Sequence, residues 1–186
     1  IFESAGAAFE SEIWGDYDIE AVYDELDAGR ISSKAMAYIT AASLKDPVTR
    51  QIAPVGHTNL QIMTLVPREY SVWGVDRGPA DGGEYHRDPV YRERKKELMD
   101  HLISVSERVI PGLREHIVWQ EAATPISQER FTHSTGGTSY GIEMSRSQAG
   151  PMRVGPRTEI EGLFLTGAST PSGRGISGVL RSGVAT

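Results

Sequence analysis

The chain has 186 residues, 25 acidic against 19 basic side chains, a net formal charge of −6 and no cysteine. That composition excludes a disulfide framework, a thiol nucleophile and a thiolate zinc site. A pI near 5.4 argues against a nucleic-acid binder, which presents a basic face to phosphates. No uninterrupted apolar run approaches the ~20 residues of a membrane-crossing helix. Glycine is in surplus, at 20 of 186 residues or about 11%, against a usual ~7%.

The first predicted element follows Asp18, an N-cap residue, with Ile19, Val22, Tyr23 and Leu26 at helical spacing and Gly29 placed to end it. Asp16, Asp18, Glu20, Asp24, Glu25 and Asp27 make an acidic cluster around it, read as a solvated face. Segments 35–42 and 60–66 read as strands, with Asp46-Pro47 marking a turn between them and Pro67 closing the second. The second is apolar enough to be covered on both faces. Glycines from Gly74 to Gly83 predict a loop. Asp88 as N-cap and Pro89 at the first helical position then open the best helix, with the stripe Tyr91, Leu98, Leu102, Val105 and Val109. Pro111-Gly112 ends it, and Ile117-Val118-Trp119 is a short strand candidate. Residues 127–156 are polar and glycine-rich with no clear period. Leu163-Phe164-Leu165-Thr166 then reads as a strand running into a glycine-dense turn and a final helix. The pattern is α+β or mixed α/β.

Gly137-Thr138-Ser139-Tyr140-Gly141 matches the G-x-S-x-G nucleophile elbow, which needs a strand before the serine and a helix after it. Neither is predicted, and His57, His86, His101, His116 and His133 all lie upstream of Ser139. A tight turn is the preferred reading. No spacing of His, Asp and Glu makes a zinc or calcium motif, so no metal is expected. Gly173-Arg174-Gly175-Ile176-Ser177-Gly178 fits G-x-G-x-x-G and opens the last helix. Side-chain-free residues there would let backbone N–H groups and the helix N-terminus approach an anionic or electron-rich ligand. The glycines stand five residues beyond the strand, unlike the ordinary dinucleotide fingerprint. By pattern, a structural turn and a ligand cradle are equally open.

The run GLFLTGASTPSGRGISGVLRSGVAT, residues 162–186, resembles the C-terminal signature of phytoene desaturase, carotenoid isomerase and retinol saturase flavoproteins. Segments NLQIMTLVP (59–67), VIPGL (109–113) and ATPISQERFTHSTGGTSYGIE (123–143) agree in order and kind. The resemblance implies an FAD-dependent oxidoreductase desaturating, saturating or isomerising an apolar polyene or isoprenoid-like substrate. It implies a substrate domain over 1–155, with a mainly antiparallel or mixed sheet and covering helices. Residues 156–186 would be a strand–loop–helix of a Rossmann-like FAD domain. Gly167, Ala168 and Ser169 would pass along the ribityl and pyrophosphate portion of FAD. Gly175, Ile176, Ser177 and Gly178 would present the helix N-terminus to the pyrimidine edge of the isoalloxazine. Ala168 stands where wider relatives carry an acid, so no ribityl-binding carboxylate is expected there. Tyr140 and Arg174 are candidates to approach the cofactor, and no catalytic acid or base is named.

Nothing near Ile1-Phe2-Glu3-Ser4 reads as a signal peptide or as the N-terminal glycine turn that binds the ADP part of FAD. The chain is therefore expected to be a C-terminal fragment, not holding FAD alone and partnered by the missing N-terminal FAD domain. A cytoplasmic setting is expected, with peripheral membrane contact compatible with an apolar substrate. The alternative function is a non-catalytic lipid-binding or interaction module derived from the same fold.

Overall fold

The computed structural model describes residues 10–13 (backbone alone), 18–33, 36–143 and 145–186. Asp16 of the acidic cluster and Ala35 at the predicted strand start lie outside them. The chain forms two compact units, Ile1–Gly137 and Thr138–Thr186.

In the first unit, strand β1 (Glu10–Ile13) pairs antiparallel with β2 (Ala37–Thr40), which pairs antiparallel with β3 (Gln61–Met63). Helix α1 (Ile19–Asp27) connects β1 to β2, and the one-turn helix α2 (Ala42–Lys45) follows β2. The start of α1 is fixed as its sequence predicts, since the Asp18 carboxylate accepts the Ala21 N–H at 3.1 Å. At its end Gly29 adopts φ +69°, donating to Leu26 O at 2.9 Å while Arg30 donates to Glu25 O at 2.8 Å. That pair of bonds is a Schellman ending, which favours a residue without Cβ.

Ile39 and Ile62 face each other across the β2–β3 ladder. With Ala37 and Leu60 they pack against Leu98, Leu102, Val105 and Val109. Leu98, Leu102 and Val105 come from helix α3 (Pro89–Ser106), which Asp88 caps by accepting the Val90 and Tyr91 N–H groups at 2.7 and 3.2 Å. One correction follows for β3. Gln61 and Met63 are exposed while Ile62 between them is packed, so the strand is covered on one face only. Ile62 and Met63 are apolar on opposite faces, but only the Ile62 face packs against α3.

A second cluster is built around Trp73, fully buried, with Val75, Tyr85, Tyr91 and Ile126. The Trp73 indole N–H donates to Pro67 O at 3.1 Å, which satisfies the one polar atom that burial would otherwise penalise. Trp73 closes a 3₁₀ turn, Tyr70–Trp73, ended by Gly74 at φ +75°. A Cβ on Gly74 would also meet Val90 Cβ at 2.9 Å.

Ile126 belongs to α4 (Pro125–Thr132), a helix that runs into the stretch from 127 read as aperiodic. Thr124 caps it, Pro125 starts it, and one side chain, Ile126, is its fully buried apolar anchor. Its other buried positions, Ser127 and Glu129, are polar, so no apolar period announces it. Buried hydroxyls tie it to α3, with Tyr91 Oη 2.8 Å from Thr124 Oγ1 and 3.1 Å from Ser127 Oγ. The predicted strand at Ile117-Val118-Trp119 does not form. Val118 and Trp119 are exposed, and no described strand lies beside them to complete a ladder.

Glu129 is a buried carboxylate with a hydroxyl partner. The Tyr70 hydroxyl donates to its Oε2 and Oε1 at 2.7 and 2.9 Å. This bond to a carboxylate, with burial second, pushes the Tyr70 phenol up to about 12. The folded value lies above the ordinary ~10, so the stabilisation is complete below pH ~10 and is lost as pH rises through about 12. Tyr70→Phe should cost about 1.5–3 kcal/mol at neutral pH, because a buried carboxylate loses its donor. Urea midpoints between pH 9 and 12 should fall more steeply for the unaltered chain than for Tyr70→Phe; parallel curves would contradict this.

The second unit holds α5 (Gly175–Ala185), which starts where its glycine spacing predicts. The segment before it differs from its sequence reading. Residues 163–166 make one isolated antiparallel bridge, Phe164 to Arg157, rather than a strand. Leu163, Phe164 and Leu165 are all about half exposed. A run apolar on both faces suits a covered central strand, and no described strand of this unit flanks it.

Candidate functional site

The residues that sequence singles out lie together in the second unit. Gly167, Ala168 and Ser169 form a half-buried loop, with Gly167 at φ +107°. Gly175, Ile176 and Ser177 are the exposed first turn of α5, and Gly178 is buried behind them. No side chain caps α5: Arg174 occupies the N-cap position without a capping hydrogen bond. A helix N-terminus in that state leaves N–H groups and a partial positive charge available.

Loop and helix are joined by a hydroxyl network that the sequence does not announce. Gly167 N–H donates to Ser182 Oγ at 2.9 Å, and Ser182 Oγ lies 2.8 Å from Thr170 Oγ1 and 3.2 Å from Thr166 Oγ1. Thr170 Oγ1 donates its single proton to Gly167 O at 2.8 Å. Ser182 must then donate to Thr170, which fixes the direction of the chain of bonds. Both polar groups of Gly167 are thus held, and Thr170 and Ser182 are each 2% exposed. Glycine makes the close approach possible. A Cβ on Gly178 would stand 2.8 Å from Gly173 C and 2.9 Å from Gly173 O.

The buried face of α5 is therefore a stripe of small residues, Gly178 and Ser182, one helical turn apart. Its apolar side chains Ile176, Leu180 and Val184 point out, at 81%, 65% and 91% exposed. The i, i+4 spacing of Gly178 and Ser182 was the signal from which the network could have been found.

Arg153 is the other residue that sequence reading missed. It is 5% exposed, and its guanidinium donates to Ala168 O at 2.8 Å, Ser169 O at 3.3 Å, Gln148 O at 3.2 Å and Ile142 O at 3.5 Å. Behind the loop, a Cβ on Gly141 would meet Ala168 C and Ser169 Oγ, both at 2.8 Å. The glycine of the G-x-S-x-G match thus serves packing against this loop. Neither strand nor helix flanks Ser139, and Tyr140 is exposed at φ +68°. The elbow geometry of a serine hydrolase is absent around it. No group of three or more metal-capable side chains occurs among the described residues. Among the described residues, no helix is long and apolar enough to cross a membrane.

No protein-family model matches the chain. It is 29% identical over 165 residues to a phytoene desaturase (lycopene-forming) of Pseudescherichia vulneris, covering 88% of this chain and 30% of that protein. It is 31% identical over 134 residues to a carotenoid 3,4-desaturase of Haloarcula japonica, covering 71% of this chain and 23% of that protein. A prolycopene isomerase of Daucus carota is 36% identical over 95 residues, half of this chain and 15% of that protein. Over most of its length the chain is thus similar to carotenoid desaturases, and over half of it to an isomerase, which are enzymes. It spans less than a third of the length of these relatives.

Proposed function

From its kinship with carotenoid desaturases and isomerases, we propose that the chain is part of an FAD-dependent oxidoreductase acting on an apolar polyene of the carotenoid type. The observation that carries this reading is a loop at Gly167 hydrogen-bonded to Ser182 of α5, a helix whose glycine-opened N-terminus is uncapped, within the segment whose sequence resembles flavoproteins. The residues present fit such a cofactor. Nothing lies within 4 Å of where a Cβ would stand on Gly167, Gly173 or Gly175, so backbone can be approached closely at all three.

Gly167, Ala168 and Ser169 would hold the ribityl and pyrophosphate portion, and Gly175, Ile176, Ser177 and Gly178 the flavin ring edge. FAD, when bound, supplies the redox chemistry. The chain's own groups bind and orient. The first turn of α5 would offer its partial positive charge to an electron-rich ring edge, and the Ser182 network would keep the loop from moving against the helix. The rest of the FAD site would come from the longer protein, since this chain matches under a third of its relatives. The outward apolar stripe of α5 and the half-exposed Leu163, Phe164 and Leu165 are what such a neighbour would cover.

The test is to incubate the flavin-loaded product of the whole gene with phytoene and with prolycopene in liposomes, then separate the products by chromatography. A changed number or geometry of double bonds in one of them is expected. A flavin-loaded protein that alters neither substrate would favour a non-catalytic lipid-binding module.

A further inference from the structure

We propose that Arg153 is a positioning residue for FAD, acting through the 167–169 loop by drawing the loop's carbonyl oxygens inward, away from the cofactor's pyrophosphate. The inference rests on the FAD reading above and adds to it a residue outside the glycine signature. Three consecutive carbonyls in the loop are spoken for. Gly167 O accepts from Thr170 Oγ1 at 2.8 Å, Ala168 O from Arg153 at 2.8 Å and Ser169 O from Arg153 at 3.3 Å. In a trans peptide the N–H points opposite to the C=O, so fixing the Gly167 and Ala168 carbonyls also aims the Ala168 and Ser169 N–H groups the other way. An anion approaching this loop then meets donors rather than carbonyl lone pairs.

The choice of side chain is informative. Burying a guanidinium is costly, and a turn with no ligand could satisfy the same carbonyls with water or neutral donors. Arg153 instead spends a rigid, always-charged fork on two adjacent loop carbonyls, and reaches Gln148 O and Ile142 O with the remainder. The planar fork holds two peptide planes at once. A lysine ammonium, one compact donor group, would hold them less well.

The experiment uses the product of the whole gene, with R153Q and R153K. FAD and riboflavin, which lacks the pyrophosphate, are titrated separately into apoprotein, and amide hydrogen exchange is followed in the flavin-free form. For R153Q the FAD dissociation constant should rise about tenfold or more, as expected for loss of a charge-assisted contact. The riboflavin constant should stay within about twofold, since riboflavin does not meet the phosphate-facing donors. R153K should recover part of the FAD affinity. Exchange at 167–170 should quicken while the interior of α5 is unchanged.

Equal FAD binding by R153Q and the unaltered protein would overturn the proposal alone. So would FAD and riboflavin affinities falling together, because that marks general loosening. If R153Q does not fold, R153K decides: it must weaken FAD more than riboflavin, and an unchanged ratio overturns the proposal. An unaltered protein that binds no FAD overturns the cofactor reading and this inference with it.

Discussion

Gly178→Ala is expected to destabilise the Thr138–Thr186 unit and, in the whole protein, to release FAD. Two effects of opposite sign compete at this position. Alanine is the better helix former, and in an exposed helix it would add about 0.5–1 kcal/mol. Here the new Cβ would stand 2.8 Å from Gly173 C, 2.9 Å from Gly173 O and 3.2 Å from Ser172 O. Those neighbours are backbone, so the 172–175 turn has to move away from the helix. Overpacking of that kind costs about 1–3 kcal/mol, which exceeds the propensity gain. The same shift would displace the uncapped first turn of α5, so flavin content should drop more than stability alone accounts for. Thermal melts of the 186-residue chain and FAD content of the whole protein check both halves. A more stable variant with unchanged flavin would mean that propensity wins and the contact is slack.

Trp73→Ala should cost about 3–5 kcal/mol, the range for removing a large aromatic from a packed core. Trp73 is 0% exposed and sits at the centre of the cluster that joins α3, α4 and the 70–75 turn. Its removal also orphans Pro67 O, which the indole N–H now satisfies. A loss of this size is a large fraction of the ~5–15 kcal/mol that holds a typical domain, so the first unit should melt at a much lower temperature. Intrinsic fluorescence of the variant would come from the two remaining tryptophans and not from this cluster. Urea unfolding followed by far-UV circular dichroism reads the change instead, and a shift below 1 kcal/mol would contradict the packing described for this cluster.

Some elements were plain in the sequence because one local rule sufficed. Asp18 and Gly29 bracket α1 and Asp88-Pro89 opens α3 through capping chemistry that depends on a few neighbouring residues, and α5 opens at Gly175 within its glycine pattern. Elements that depend on distant partners were harder. Helix α4 carries its cap and its proline openly, yet its inward residues Ser127 and Glu129 are polar and are satisfied by Tyr91 and Tyr70 from far along the chain. The apolar runs 117–119 and 163–166 read as strands, but a strand exists only where another chain segment completes its ladder. Leu163, Phe164 and Leu165 keep the composition of a covered strand without the neighbours that would make one in this unit.

The candidate site divides in the same way. Its glycines are visible as a pattern, since backbone access is a property of residue type. Arg153, Thr170 and Ser182, which hold the loop in place, are visible only through hydrogen bonds that span 12 to 16 residues. Of these, Ser182 alone left a trace, four residues beyond Gly178 on the same helix face.

The central claim is that this chain forms part of an FAD site. The most direct measurement is the absorbance spectrum of the purified product of the whole gene, with the cofactor released by denaturation and identified by chromatography. An oxidised-flavin spectrum is expected, with close to one FAD released per protein. A colourless protein that releases no flavin, and takes none up when FAD is supplied in excess, would contradict it.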